Sequence, residues 1–148
     1  MTLTVEPALE LRLSWLAGII DGEGSVCIAK GKGHFLTGNV SIGTTSIEMM
    51  CEIISILESI GVSHYSLEPR SNVGWGRKLL LDLKISKQES LCLLLDTIIP
   101  FLINKRKQAK ILLEFIKLRL SKRGNRSKIS SYSNEERILR EHIMELNK

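Results

Sequence analysis

Leu16-Ala17-Gly18-Ile19-Ile20-Asp21-Gly22-Glu23-Gly24 is the stretch whose reading decides the fold of this chain. It closes an apolar segment that begins near Ala8, in which Leu9, Leu13, Leu16 and Ile20 recur at helical spacing, so residues 8–20 are expected to form a helix. The segment is apolar nearly all round, which predicts burial on both sides. At about 100° per residue, Ser14, Gly18 and Gly22 fall one turn apart on the side opposite the leucine stripe. Side chains this small let another backbone approach closely. Gly22 and Gly24 are expected to end the helix, because glycine tolerates the left-handed conformation common at helix C-termini.

Downstream, residues 25–30 and 35–44 read as two strands joined by the glycine-rich, basic turn Gly31-Lys32-Gly33-His34. Thr45 with Glu48 forms a capping-box pattern ahead of a helix bearing Met50, Ile53, Ile54, Leu57 and Ile60, which Gly61 stops. The strand phase then repeats over residues 64–70 and 75–85, with a turn through Ser71-Asn72-Val73-Gly74. Ser86 and Glu89 form a second capping box, opening a helix with Leu91, Leu94, Leu95 and Ile98 that Pro100 interrupts. A further helix runs from about Asn104 through Ala109, Leu112, Leu113, Ile116 and Leu120. Residues 121–133 are polar and basic without periodicity and read as a loop, after which Ser133 and Glu136 cap a short terminal helix.

The order α-β-β-α-β-β-α-α-loop-α predicts an α+β domain in which helices cover one face of an antiparallel sheet and leave the other open. Residues 1–120 form the core of this domain, and residues 121–148 add a basic loop and a helix packed on it. The open face is expected to carry Asn39, Ser41, Ser66, Glu68, Arg70, Lys78, Asp82 and Lys84, polar groups able to read base edges in a major groove. An ordinary wet sheet face has the same composition.

At 148 residues, 43% hydrophobic and 25% charged, the chain suits one soluble globular domain, and no apolar run reaches the length of a membrane span. The N-terminal segment, with Glu6, Pro7 and Glu10, does not read as a secretory signal, which places the protein inside a cell or organelle. Cys27, Cys51 and Cys92 are widely separated, odd in number and lack a C-x-x-C pair, so they read as buried thiols. The three histidines are likewise scattered, and a His/Cys metal site is not expected.

The formal charge is +5, and its distribution matters more than its size. Lys105, Arg106, Lys107 and Lys110 are followed by Lys117, Arg119, Lys122, Arg123, Arg126 and Lys128, opposed only by Glu114. Such a run suits a polyphosphate surface, as a solvated helix face and charged loop would also read. Lys30 and Lys32 at the hairpin turn, Arg77, Lys107, Lys122 and Arg123 are the candidate phosphate contacts.

Residues 16–24 closely resemble the nine-residue signature of the LAGLIDADG homing endonucleases. Leu16, Ala17, Gly18, Ile19, Ile20, Asp21 and Gly24 agree with it outright or conservatively, while Gly22 and Glu23 replace its alanine and aspartate and keep a small residue followed by an acid. The rest of the chain is similar more loosely, in element order and in Pro100-Phe101-Leu102 followed by Lys105 and Gln108-Ala109. The resemblance implies an αββαββα fold with a saddle-shaped antiparallel sheet. It also implies an intron-encoded enzyme that makes site-specific double-strand breaks in DNA, in the cytoplasm or nucleoid of a prokaryote or in an organelle matrix.

By this resemblance Glu23 is the catalytic metal ligand, the carbonyl of Gly22 a further ligand, and Lys105 a basic group near the active site that activates water or balances developing charge. A surface lysine at a helix start is the competing reading of Lys105. Asp21 resembles a structural residue of the motif. Magnesium, or another divalent cation such as manganese, is the expected cofactor, with calcium binding without turnover.

One motif is present where a duplex has two strands to cut, so a homodimer crossing at Ser14, Gly18 and Gly22 is expected, on a long, roughly palindromic DNA site. A non-cleaving protein on the same scaffold, either an RNA-binding splicing maturase or a DNA-binding regulator, is the alternative. Retention of an acid at Glu23 favours the enzyme.

Overall fold

The computed structural model describes residues 7–33, 35–68, 70–71, 79–122 and 132–148, the side chains of 70–71 excepted. Helix α1 (Leu9–Glu23) leads directly into strand β1 (Gly24–Lys30), which pairs with β2 (Leu36–Thr44). Helix α2 (Ile47–Ser59) follows, then the short strands β3 (Tyr65–Ser66) and β4 (Arg70–Ser71) and the longer β5 (Leu79–Ile85). Helix α3 (Gln88–Ile98), a 3-10 turn (Ile99–Phe101), α4 (Arg106–Ser121) and α5 (Asn134–Leu146) complete the described elements. The sheet is antiparallel with order β1-β2-β5-β3, and β4 also pairs with β5. This is the α+β arrangement expected from the sequence.

Pairing fixes which residues share a face. Val26, Val40, Ile42, Leu83 and Ile85 are buried beneath the helices, and a Cβ at Gly38 would lie 2.5 Å from a Leu112 methyl, so α4 rests on that side of the sheet. Leu16 and Ile20 of α1, Ile53 and Leu57 of α2, Leu91, Leu94 and Leu95 of α3, Phe115 of α4 and Ile143 of α5 complete one continuous core. Burying each such side chain contributes about 1.5–3 kcal/mol, before the opposing loss of chain entropy.

Local signals place the helix ends with small shifts. Ser46, not Thr45, caps α2, its hydroxyl accepting the Met49 N–H, while Thr44 Oγ1 takes the N–H of Ser46. Gly61 at φ +76° ends that helix, as a left-handed position requires. Lys87, one position after the expected Ser86, is the N-cap residue of α3 and makes no side-chain cap of its own. The Ser133–Glu136 capping box does form. Ile138 stands 62% exposed, and Leu139 and Ile143 carry the buried side of α5. Cys51 is exposed and Cys27 and Cys92 half-buried, because all three flank rather than enter the core, contrary to the reading as buried thiols.

Helix α5 is tied to the sheet and to α4. Asn147 Nδ2 donates to the Val26 carbonyl at 3.0 Å, and the Tyr132 hydroxyl donates to the Leu36 carbonyl at 3.0 Å. The Glu136 side chain is fully buried and accepts from Arg119, at 3.1 Å, and from Lys122, while the Arg119 guanidinium lies 4.2 Å from the Tyr132 ring centre. Burial pushes the Glu136 carboxyl up, but hydrogen bonds from Lys122, Ser133 and Arg119 outweigh it and hold the group below its ordinary value.

Candidate active site and nucleic-acid interface

The last turn of α1 is built to stop abruptly. The helix continues through Gly22 to Glu23, and Gly24 is extended (φ −88°, ψ 168°) with its N–H bonded to the Ile20 carbonyl. The left-handed glycine termination expected from the sequence is therefore absent at both positions, since Gly22 is helical and Gly24 extended. Gly24 serves close approach: a Cβ there would stand 2.8 Å from the Ile20 carbonyl oxygen and 2.9 Å from its Cα. The chain can thus pass from helix to strand without a loop, which leaves Glu23 exposed at the junction of α1 with the sheet.

Asp21 fastens that turn to the start of α4. Its carboxylate accepts the backbone N–H of Ile103 at 2.8 Å and of Lys105 at 2.9 Å. Its carbonyl accepts the Lys105 ammonium at 2.7 Å. A carboxylate at the N-terminal end of α4 also meets the favourable end of that helix dipole. The structure therefore gives Asp21 an anchoring position and draws Lys105, half-buried, to the C-terminal end of the signature helix.

Glu23 offers a carboxylate, and the adjoining helix end offers backbone carbonyl oxygen at Gly22. Hard oxygen donors of this kind fit magnesium, which keeps several waters and is commonly held by one or two carboxylates with substrate phosphate. Among the described residues no group of three His, Cys, Asp or Glu side chains gathers to hold a metal.

The outward side of α1 is bare. Ser14, Gly18 and Gly22 are exposed, and a Cβ at Gly18 or Gly22 would meet nothing within 4 Å. Leu11, 66% exposed, and Trp15, 37% exposed, flank this strip. Burial on both sides of the helix is therefore not met within one chain: Leu13, Leu16, Ala17 and Ile20 are covered, while the small-residue side is open.

The open sheet face departs from expectation at its outer edge. Ser41 pairs with Lys84, and Gly43 with Asp82, whose carboxylate oxygen lies 2.7 Å from where a Gly43 Cβ would stand, so Ser41, Asp82 and Lys84 share the uncovered side. Asn39 lies on that side by alternation yet is buried, its Oδ1 taking the Cys27 thiol at 3.2 Å. Tyr65 pairs with Lys84 and Ser66 with Leu83, and the Leu67 N–H bonds to the Asp82 carbonyl. Tyr65 and Leu67 therefore take the open face and Ser66 the opposite one, while Glu68 lies beyond the paired residues. A strand displaced by one residue exchanges its faces, and a two-residue strand gives the sequence no alternation from which to read its phase. Arg70 is placed by its backbone, opposite Leu80. Arg77, Lys78 and Arg123 lie outside the described residues.

The basic candidates separate. Lys32 is exposed in the hairpin turn and Lys107 is exposed in the first turn of α4. Lys30 shares the helix-covered side with Val26 and Ile28 and lines a recess with Arg137, Arg140 and Glu141, which removes it from the open face. Lys122 is paired with buried Glu136.

No protein-family model matches the sequence, and no curated protein matches it. Solved structures do. The homing endonuclease I-CvuI, in complex with its target in the presence of calcium, aligns at TM-score 0.57 and 18% identity, covering 94% of this chain and 96% of that one. The archaeal intron-encoded homing endonuclease I-Vdi141I, complexed with DNA, aligns at TM-score 0.58 and 14% identity over 95% of this chain and 99% of that one. The LAGLIDADG meganuclease I-AabMI aligns at TM-score 0.54 and 20% identity, covering 74% of this chain and 37% of that longer chain. This chain has the fold of the LAGLIDADG homing endonucleases, and its Leu16–Gly24 nonamer, similar to that family's signature, closes the first helix and opens the first strand.

Proposed function

We propose that this chain is a site-specific endonuclease that cuts double-stranded DNA as a homodimer, with a divalent cation, magnesium above all, held at Glu23 and the Gly22 carbonyl. The observation that carries the reading is an exposed carboxylate at the end of a helix whose outward side is bare at Gly18 and Gly22. Two copies crossing along Ser14, Gly18 and Gly22 would bury Leu11 and Trp15 as well, and would bring both Glu23 carboxylates toward the symmetry axis. Each half-site then completes the other. That homing endonucleases of this fold are seen bound to DNA supports a duplex as the ligand.

The cation, when bound, supplies Lewis-acid chemistry: it polarises the scissile phosphate, lowers the pKa of the attacking water and stabilises the leaving oxygen. Glu23 contributes the anionic oxygens that recruit it. Lys105, steadied on the Asp21 carbonyl, contributes positive charge beside the developing negative charge of the reaction. Water oxygen bonds to phosphorus as the 3′ oxygen departs, leaving 5′ phosphate and 3′ hydroxyl ends. Ser41, Tyr65, Leu67, Asp82 and Lys84 on the open sheet face are placed to select sequence. Lys32 and Lys107 are exposed cations for backbone contact, and a dimer carries twice the +5 of one chain, so binding should weaken steeply with salt.

The test is incubation of the purified chain with magnesium and DNA spanning the uninterrupted insertion locus of its own gene. Discrete double-strand breaks are expected. Binding without cleavage under these conditions would favour the regulator or maturase reading.

A further inference from the structure

On the helix-covered side of the sheet, where the far end of the β1–β2 hairpin meets α5, a recess of about 280 Å³ is lined by Lys30, Leu36, Arg137, Arg140 and Glu141. Three of these side chains are cationic and one is acidic. Among the described residues no ion pair joins Glu141 to any of the three cations. Arg140 Nε is buried and has no hydrogen-bond partner. A buried N–H of a charged group left without an acceptor is costly, and Arg140 belongs to the lining of the recess, so an acceptor bound there would relieve that cost.

We propose that this recess binds a phosphate group. A guanidinium presents a planar fork of donors suited to phosphate oxygens, and Lys30 and Arg137 add charge from the two elements on either side. The volume lies at the lower limit of ordinary ligand pockets, about 300 Å³, which suits a phosphate or pyrophosphate rather than a whole nucleotide. The phosphate comes either from free solution or from a polynucleotide backbone lying past the hairpin end. Neither source involves Glu23, so the site stands or falls separately from the nuclease reading.

The test follows the arginine Nε–H signals of the full chain by heteronuclear NMR in metal-free buffer. One arm adds inorganic pyrophosphate, a second adds a short DNA duplex without a target site, and a control adds potassium chloride to the same ionic strength. The Arg140 signal should shift saturably with pyrophosphate or with the duplex and not with chloride, and the more effective arm identifies the source. Lys30→Gln and Arg137→Gln, both at exposed positions, should each weaken the saturable response, by about tenfold for a lost charge-assisted hydrogen bond. An Arg140 signal unmoved by both phosphates, or moved equally by chloride, overturns the proposal. So does a response unchanged in both variants.

Discussion

Asp21 and Lys105 hold each other from both ends: the Asp21 carboxylate takes the Lys105 backbone N–H at 2.9 Å, and the Lys105 ammonium returns to the Asp21 carbonyl at 2.7 Å. The bond connects residues 84 apart in sequence and fixes the C-terminal turn of α1 against the start of α4. Glu23 lies two residues beyond this anchor, so its direction depends on a clasp in which it takes no part.

Removing the clasp should therefore loosen the site and lower stability. Asp21→Ala deletes the acceptor for the Ile103 and Lys105 N–H groups and is expected to reduce unfolding free energy by about 1–3 kcal/mol, read from urea denaturation. Stability equal to the parent would show that these bonds do not hold the turn.

Gly18→Leu separates packing within a chain from packing between chains. A Cβ there meets nothing within 4 Å, so the substituted chain should fold with a circular dichroism spectrum close to the parent's. Sedimentation should show loss of the dimer. A dimer of parent affinity would place the interface elsewhere.

The Glu136 cluster predicts acid sensitivity. A carboxyl held below its ordinary pKa contributes stability that is present above its unfolded value, near 4.3, and is lost as pH falls through the lower folded value. Glu136→Gln should abolish that part of the acid-side decline. It should also destabilise at neutral pH by about 3 kcal/mol, because Arg119 and Lys122 would face a neutral partner. Denaturation midpoints from pH 3 to pH 7 read both effects, and identical pH profiles for parent and variant would contradict the assignment.

Sequence selection should follow the observed register. Tyr65→Ala and Lys84→Ala are expected to relax base choice at one or two positions, with about 1–3 kcal/mol of discrimination at stake for each direct contact, whereas Ser66→Ala should leave it unchanged. Selection on randomised target sites distinguishes the two patterns. A change of preference with Ser66→Ala alone would restore the opposite phase of the edge strand.

The layered architecture was legible because long periodic segments and caps such as Ser133–Glu136 agree with one another. The bare side of α1 at Ser14, Gly18 and Gly22 was legible from helical spacing, whereas Glu23 stood out only through the resemblance of Leu16–Gly24 to a known signature. The faces of residues 65–67 were not legible, because so short an edge strand takes its phase from its pairing with β5 rather than from its own pattern. The surroundings of Lys30 and Lys122 were not legible either. Charge counts say how many cations there are, and only tertiary contact shows that one lines a recess beside α5 and the other neutralises Glu136.

The most direct measurement compares the parent chain with Glu23→Gln on target duplex in magnesium, with binding followed in the same samples. Glu23 is exposed, so the variant should bind and sediment as the parent does and yet leave both strands intact. Double-strand cutting by the variant at the parent rate would contradict the account.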